Sequence, residues 1–319
     1  MAEKSTRVKF VVNLLGCRTL ADWEIERLHS RVSDSNPWEA PAWLENLGWA
    51  FVNKARASSD PGFYKLAELS ADAIAATTPD SADGELLRGH IYHALHRFAD
   101  AEKVARKLVA QRTFVFDYAL LGDALMEQGK LEEAVAAYQK MVDLKPCLQT
   151  YSRVAHMRWL KGDLPGAIQA IEVAVSGGSI KEPEPVAWAY TKLALYGLQS
   201  GEDELALRAT DLALRYLPDY AAAQLMRGRI LLAEGKTGEA VTMLQAAVKT
   251  SPLPEYLWTL ADALRADGKV TQSSALENHL RATRSAHVSL TSAHYHPTPW
   301  PQSAVTFLPP PQSRTTLPG

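Results

Sequence analysis

The sequence predicts an all-α protein of stacked antiparallel helix pairs, and the main observation behind this prediction is an internal repeat. Five glycines recur at spacings of 33, 39, 34 and 33 residues. Five positions after each of them comes a small residue. The glycines are Gly129, Gly162, Gly201, Gly235 and Gly268, and the small residues are Ala134, Ala167, Ala206, Ala240 and Ser273. Self-similarity at this period is typical of a solenoid.

Two further features recur at the same period. A second small residue lies upstream of the glycine, and proline closes several units. Small residues allow two helices to pack closely, and glycine in the turn allows a positive φ. Proline ends a helix because it lacks an N–H and clashes with the preceding turn. The upstream small residues are Gly89, Gly122, Ala155, Ala194, Gly228 and Ala261, and the prolines are Pro146, Pro218 and Pro252.

The unit DYALLGDALMEQGKLEEAVAAYQKMVDLKP, residues 117–146, shows how the pattern specifies two helices. Apolar residues at helical spacing form one face of each helix. The first face consists of Leu120, Leu121, Ala124 and Leu125, and the second of Ala134, Ala137, Tyr138 and Met141. One pair cannot bury both faces alone, so we expect it to stack on its neighbours.

This unit resembles the tetratricopeptide repeat, whose pattern is W-x-x-L-G-x-x-Y, then A-x-x-x-F, then P. The matching residues are Tyr118, Leu121, Gly122, Leu125, Ala134, Tyr138 and Pro146. The resemblance implies a right-handed α-solenoid of about six to seven repeats, which is the fold class we predict.

Three regions follow from the extent of the pattern. We expect a flexible arm over residues 1–18, a helical repeat domain over residues 19–283 and a proline-rich disordered tail over residues 284–319. The segment TLADWEIERLHSRV is expected to form a capping helix, with Thr19 as its N-cap and Asp22 three residues later. The glycine spacing of 39 residues implies an insertion near residues 176–185, which is a plain length variation, a hinge or a contact surface.

The N-terminal segment VKFVVNLLGC, residues 8–17, leaves two interpretations open. Two leucines and a glycine before Cys17 resemble the lipobox of a bacterial lipoprotein signal. The apolar stretch is shorter than the roughly 7 to 15 residues of a signal core and contains Asn13. We therefore expect a cytoplasmic protein with a flexible arm, and the alternative is a lipoprotein anchored at Cys17.

The C-terminal segment differs in composition from the repeats. No acidic residue follows Glu277, and proline is frequent from Pro297 onward, including the run LPPPQ. This composition is typical of a disordered or polyproline-type tail, which is either inert or a ligand for a proline-binding domain. No polar cap is evident after the last repeat, so the tail could fold back, or this end could meet a second copy.

Overall composition excludes several classes of function. The chain has 319 residues, 47% hydrophobic and 22% charged, with a net charge of −2. A near-neutral chain with a pI of about 6.5 has no basic surface for nucleic acid or an anionic membrane. Two cysteines are too few for a disulfide framework. No apolar run reaches the roughly 18 residues that span a bilayer.

The letters G-K-T at Gly235 to Thr237 suggest a nucleotide site, but the surrounding residues do not fit one. A phosphate-binding loop requires G-x-x-x-x-G-K-[ST], and Ile230 stands where the first glycine is needed. A strand must also precede the loop, and GRILLAE is helical by its place in the repeat. We therefore predict a turn between two helices, with Lys236 and Thr237 facing solvent.

No other catalytic or metal-binding pattern emerges. His90 and His93 share a helix face, but no third ligand is spaced to complete a zinc site. Cys147 follows the helix-ending Pro146 and is expected to be a packed thiol. The sequence predicts neither an enzyme nor a bound cofactor.

The resemblance implies that the first helices of successive pairs line a groove that binds a peptide or helical segment of a partner protein. Alignment of the turn glycines gives the candidate groove residues. They are Trp49, His90, His93, Asp123, His156, Trp159, Arg229, Trp258, Asp262 and Arg265. Aromatic anchors with a few charges are typical of binding hot spots. The alternative interpretation is that Trp159 and Trp258 have only a structural role and pack between helices.

One subtype of the family holds a peptide's terminal carboxylate with lysine and asparagine. At the aligned positions this chain has Ala119, Asp123, Ser152 and His156, so that activity does not carry over. Two functions remain. The first is a non-catalytic scaffold for protein partners, and the second is an accessory subunit or lipid-anchored envelope protein that supports an enzyme or an assembly.

Overall fold

The structure is a computed structural model that describes the backbone of residues 20–58 and 60–291 and the side chains of residues 21–58 and 60–282. The predicted arm, Cys17, Thr19 and most of the predicted tail lie outside the described residues. The described part contains fifteen α-helices and no strand. Within it, no helix is both long enough and apolar enough to cross a membrane.

A single helix, α1 (Leu20–Asp34), precedes seven antiparallel helix pairs. The first three pairs are α2 (Ala40–Ser58) with α3 (Gly62–Thr77), α4 (Ala82–Ala94) with α5 (Phe98–Gln111), and α6 (Val115–Glu127) with α7 (Leu131–Leu144). The next two are α8 (Leu148–Leu160) with α9 (Leu164–Ser176), and α10 (Pro183–Ser200) with α11 (Asp203–Tyr216). The last two are α12 (Ala221–Ala233) with α13 (Thr237–Thr250), and α14 (Pro254–Ala266) with α15 (Val270–Thr291).

The pairs stack in chain order, as the repeat predicts. Each second helix packs against the first helix of the next pair. First helices also pack directly on one another at five junctions: α2 on α4, α4 on α6, α8 on α10, α10 on α12 and α12 on α14. The first helices therefore form the closely packed inner layer of the array, and the second helices form the outer layer.

The predicted turn glycines end their first helices in the left-handed region. Their φ values are 74°, 80°, 77°, 77° and 78° in chain order. The turn between α4 and α5 has no glycine, and His96 takes the corresponding place with a φ of 57°. No other non-glycine residue of the described part has a positive φ. The sequence predicts a helix pair here but does not assign the turn to a residue, because histidine does not mark a turn as glycine would.

The predicted small residues stand where helices touch. The five that follow the turn glycines are all 0% exposed, and so are Ala155, Ala194 and Ala261. A Cβ added at Gly122 would meet the ring of Tyr138, and one at Gly228 would meet the side chain of Leu244. A larger side chain at these places would force the two helices of a pair apart.

The predicted insertion lies partly inside a helix. Helix α10 has 18 residues, whereas α12 and α14 have 13. Its first residue is Pro183, which suits the first position of a helix because its missing N–H has no intrahelical partner there. The extra residues therefore lengthen α10 at its N-terminus as well as the preceding loop.

The two ends of the array differ from the interior. On α1, Ile25 and Leu28 are buried against the first pair, and Asp22 forms an ion pair of 3.2 Å with Lys54 of α2. On α15, Ser273 and Leu280 are buried, while most of the exposed positions among residues 270–282 are polar. This polar side is what a terminal helix of a solenoid requires.

The G-K-T segment is a joint between α12 and α13. Gly235 has a φ of 77°, and α13 begins at Thr237. Lys236 is exposed and pairs with Glu234 at 2.9 Å, as expected of a turn residue. Thr237 is half-buried, because its hydroxyl donates to Asp267 in the next turn at 2.8 Å. The expectation that Thr237 faces solvent was therefore wrong in part.

Two glycines in this joint provide a matched test of the turn. We expect Gly235→Ala to destabilise the fold by about 1–2 kcal/mol, because an alanine at a positive φ is strained even in open space. Nothing lies within 4 Å of a Cβ at that position, so strain alone acts. Gly238→Ala, in the first turn of α13, is expected to stabilise by a few tenths of a kcal/mol. Urea unfolding of both variants measures the difference, and equal midpoints would contradict the assignment of the turn.

Candidate binding groove

The candidate groove is the inner layer formed by α2, α4, α6, α8, α10, α12 and α14, called the inner face below. The ten predicted groove residues all lie on these helices. They fall into three groups along the array: Trp49, His90, His93 and Asp123; then His156 and Trp159; then Arg229, Trp258, Asp262 and Arg265.

The first group begins with an aromatic contact between neighbouring first helices. The rings of Trp49 and His90 meet edge to face at 5.0 Å. Burial lowers the pKa of His90 to about 4, so this imidazole is neutral near pH 7. The ring of His93 meets Phe98 at 5.4 Å, and its Nε2 atom is buried with no hydrogen-bond partner in the described part of the chain. The two histidines therefore have different aromatic neighbours.

Asp123 connects the third and fourth pairs. Arg153 of α8 donates to both of its carboxylate oxygens, at 2.6 and 2.8 Å, and the Tyr138 hydroxyl donates to it at 2.8 Å. Arg153 also donates to the Gln149 carbonyl at 3.0 Å. Arg153 and the Tyr138 hydroxyl hold the pKa of Asp123 below its usual range, although burial alone would raise it. Asp123 therefore has strong intramolecular partners.

The second group is a stack of rings on α8 and α10. His156 lies 5.3 Å from Trp159, with the ring planes 24° apart, and Trp159 lies 6.2 Å from Tyr196. The Trp159 Nε1 donates to Gln199 at 2.6 Å. Burial, aided by the charge of Lys192, lowers the pKa of His156 to about 4. Trp159 and His156 remain partly exposed, so the stack presents a polar-edged aromatic surface.

The third group is more exposed. Arg229 forms an ion pair of 2.7 Å with Glu255 on α14. Arg265 pairs with Asp262 and with Glu277, while Trp258 is 39% exposed. The structure brings Asp262 and Arg265 together. Among the described residues Trp258 has no ring contact, so its exposed aromatic surface is open at this end of the inner face.

Sequence reasoning missed Arg153, Lys192 and Tyr196 on the inner face. Each predicted groove residue stands one or four residues after the small residue of its first helix, or three residues before it. Arg153 and Lys192 both stand two residues before it, at Ala155 and Ala194. A charged residue at that register in two successive repeats was the signal that could have identified them.

Comparison with known families agrees with this architecture. Models of the tetratricopeptide repeat match residues 118–146, 191–253 and 225–285. The chain is a tetratricopeptide repeat protein. No curated protein matches its sequence.

Two solved structures show the same fold as this tetratricopeptide repeat protein. One is the Cut9–Hcn1 hetero-tetramer of APC/C, with 16% identity, a TM-score of 0.59 and coverage of 76% of this chain. The chain spans only 46% of the length of that structure's chain. The other is PilW, a type IV pilus biogenesis factor, with 12% identity, a TM-score of 0.56 and coverage of 64% of this chain and 93% of that one. At these identities the likeness concerns the fold alone.

The tetratricopeptide array also makes a contact between distant repeats. Arg56, in the last turn of α2, donates to Glu184, in the first turn of α10, at 3.1 Å. The charges of both residues also act on Tyr220, at the start of α12. The predicted insertion thus supplies a contact: Glu184 lies in the part of α10 that lengthens this helix. The ion pair joins the first and fifth pairs across the inner face.

The structure does not assemble a metal site in its described part. No group of three or more histidine, cysteine, aspartate or glutamate side chains converges there. Cys147 is half-buried, and its thiol lies 3.3 Å from the Thr150 hydroxyl.

Asp123→Ala tests the polar link between the third and fourth pairs. It leaves Arg153 without its ion-pair partner, and both side chains are mostly buried, at 17% and 24% exposure. We expect a loss of about 2–4 kcal/mol in the free energy of unfolding. The control is Asp72→Ala, which breaks the more exposed Arg88 pair of 2.9 Å and should cost less than about 1 kcal/mol. If Asp123→Ala lowers the free energy of unfolding as little as Asp72→Ala does, the link between Asp123 and Arg153 contributes little to stability.

The neutral histidines predict a pH dependence of stability. The folded pKa values of His90 and His156 lie near 4, below the ordinary value of about 6.5, so the unfolded chain binds more protons between these limits. Stability is therefore expected to fall as pH decreases from about 6.5 towards 4. His156→Phe keeps a ring against Trp159 without a titrating group and should recover about 1 kcal/mol of the loss at pH 5.

The control for this experiment is His96→Asn, because His96 is exposed and asparagine tolerates its positive φ. Thermal unfolding at pH 7, 6 and 5 provides the comparison. An identical pH profile for wild type and His156→Phe would contradict the assignment of a neutral imidazole at His156.

Proposed function

We propose that the protein is a non-catalytic, cytoplasmic scaffold that binds a peptide or helical segment of a partner protein along its inner face. The observation that carries this proposal is the stack of His156, Trp159 and Tyr196 at the middle of the array. The rings of His156 and Trp159 are partly exposed, and Tyr196 is buried beneath them. Partly exposed aromatic rings supply large contact areas at a low cost in side-chain entropy, and they are frequent among hot spots.

The neighbouring charges support a binding role over catalysis. Asp123 is engaged by Arg153, and Arg229 is engaged by Glu255, so these groups position the helices and do not form an acid-base pair. The family also favours this role, because stacked repeats create extended surfaces that bind protein segments.

The contact between Arg56 and Glu184 shapes the access to the inner face. Both side chains are about half exposed, at 52% and 45%, so the pair contributes at most about 1 kcal/mol. A ligand can therefore part this contact at small cost, or it can enter along an open edge.

The decisive experiment is selection of peptides from a random display library on the wild-type protein. Removal of a hot-spot tryptophan costs about 2 kcal/mol or more, which corresponds to roughly 30-fold in affinity. We expect selected peptides to lose at least that factor on a Trp159→Ala, Arg229→Ala double variant. They should keep their affinity for Trp38→Ala, because Trp38 is 92% exposed in the turn between α1 and α2, away from the inner face.

The outcomes separate the two candidate functions. Peptides that bind the double variant as tightly as wild type would place recognition elsewhere on the protein. A library from which nothing is enriched would remove the peptide-binding proposal and favour the role of an accessory subunit. Thermal unfolding confirms that each variant is folded. The mass of the mature N-terminus decides between cytoplasmic protein and lipoprotein, since processing at Cys17 changes it.

A further inference from the structure

Lys192 is a cation on the inner face with no anionic partner. It lies on α10, is half-buried, and its Nζ is 5.3 Å from the centre of the Trp188 ring. Among the described residues, its ammonium group forms no hydrogen bond and no ion pair. Burial lowers the pKa of Lys192. A partly desolvated charge without a counterion is unfavourable unless a ligand supplies one.

The internal repeat shows what is missing beside Lys192. Arg153 stands two residues before the small residue Ala155 and pairs with Asp123, which stands one residue after the small residue of the preceding repeat, Gly122. Lys192 stands at the same register before Ala194, and the residue that corresponds to Asp123 is His156. The charge of Lys192 does act on His156 and lowers its pKa. A neutral imidazole thus occupies the position at which the previous junction has a carboxylate.

A second unsatisfied group lies on the same face of α10. Tyr196 follows Lys192 by four residues, so their side chains are neighbours on the helix surface. Tyr196 is 1% exposed, and its hydroxyl has no hydrogen-bond partner among the residues that the structure describes. Because this hydroxyl is buried, Tyr196 supports the ring stack from within the protein and does not itself contact a ligand. Tyr196 also stacks on Trp159, so both groups belong to the aromatic centre of the inner face.

The charged groups around Lys192 do not neutralise its positive charge. Glu255 acts on Lys192 and favours its charged form, but this carboxylate is held by Arg229 at 2.7 Å. His156 is neutral near pH 7, because its pKa is about 4. With Arg229 and Glu255 balanced, Lys192 remains uncompensated. The local electrostatics therefore favour one anionic group of a ligand.

We propose that Lys192 binds a carboxylate of the partner segment and that the partly exposed rings of His156 and Trp159 contact the apolar residue beside it. This inference rests on the proposed function and specifies its ligand as an acidic segment. The ligand carboxylate supplies to Lys192 the negative charge that Asp123 supplies to Arg153 at the preceding junction.

The experiment compares random peptide selections on wild type, Lys192→Met and Lys249→Met. Lys249 is exposed on the outer helix α13 and serves as the matched control. We expect aspartate or glutamate to be enriched next to an apolar residue on wild type and on the control, and not on Lys192→Met. For one selected synthetic peptide, Lys192→Met should weaken binding about tenfold or more.

A double-mutant cycle isolates the contact. Replacement of the selected peptide's acidic residue by its amide should weaken binding to wild type, with little further loss on Lys192→Met. Peptides with a free and with an amidated C-terminus distinguish a side-chain carboxylate from a terminal one. His156→Asp supplies the carboxylate internally and should likewise abolish the acidic preference.

The possible failures are distinguishable. Peptides that are enriched without acidic residues, and that still depend on Trp159, would overturn the role of Lys192 while the groove remains. Absence of any enriched peptide would overturn the proposed function itself. Lys192→Met is expected to unfold at a temperature equal to or above that of wild type, because it removes a charge that has no partner; a clearly lower temperature would show that Lys192 stabilises the fold.

Discussion

The close approach of neighbouring helices at a small residue is the constraint on which the array depends. At Gly122 the space that a Cβ would need is taken by the ring of Tyr138, and at Gly228 it is taken by Leu244. Because the helices of a pair touch there, the inner layer can be continuous, and the first helices of successive pairs can contact one another. The groove is therefore a consequence of helix packing. Its side chains belong to the positions of the first helices that neighbour the small packing residues.

One junction relies on a polar contact. First helices pack directly at five junctions, and the junction of α6 with α8 is bridged by Arg153 and Asp123. A largely buried ion pair is specific in geometry but brings little net stability over apolar packing. This makes the middle of the array the place where orientation depends most on electrostatics. The same residues also lie on the inner face, so orientation of the repeats and the charge of the groove are coupled there.

The sequence predicted the fold better than the site, for physical reasons. Turn glycines and small residues report local requirements, a positive φ or absent space, so a single sequence reveals them at each period. The sequence did not assign the turn residue His96, because a histidine takes the positive φ that glycine takes in the other turns, at a cost in backbone strain. Site residues depend on what lies opposite them. Asp123 and Arg229 could be placed on the inner face by register, but their partners Arg153 and Glu255 come from other helices.

The contrast between two successive junctions explains why the centre of the groove differs from its neighbours. The register that satisfies Arg153 with a carboxylate gives Lys192 only a neutral histidine. A structural role would favour a carboxylate at both places, since an unpaired and half-buried ammonium group lowers stability. The presence of Lys192 beside the ring stack is therefore better explained by a carboxylate supplied by a ligand. The lengthened α10 carries Lys192 at its middle and Glu184 at its start, so the same helix presents the charge and contacts Arg56 across the inner face.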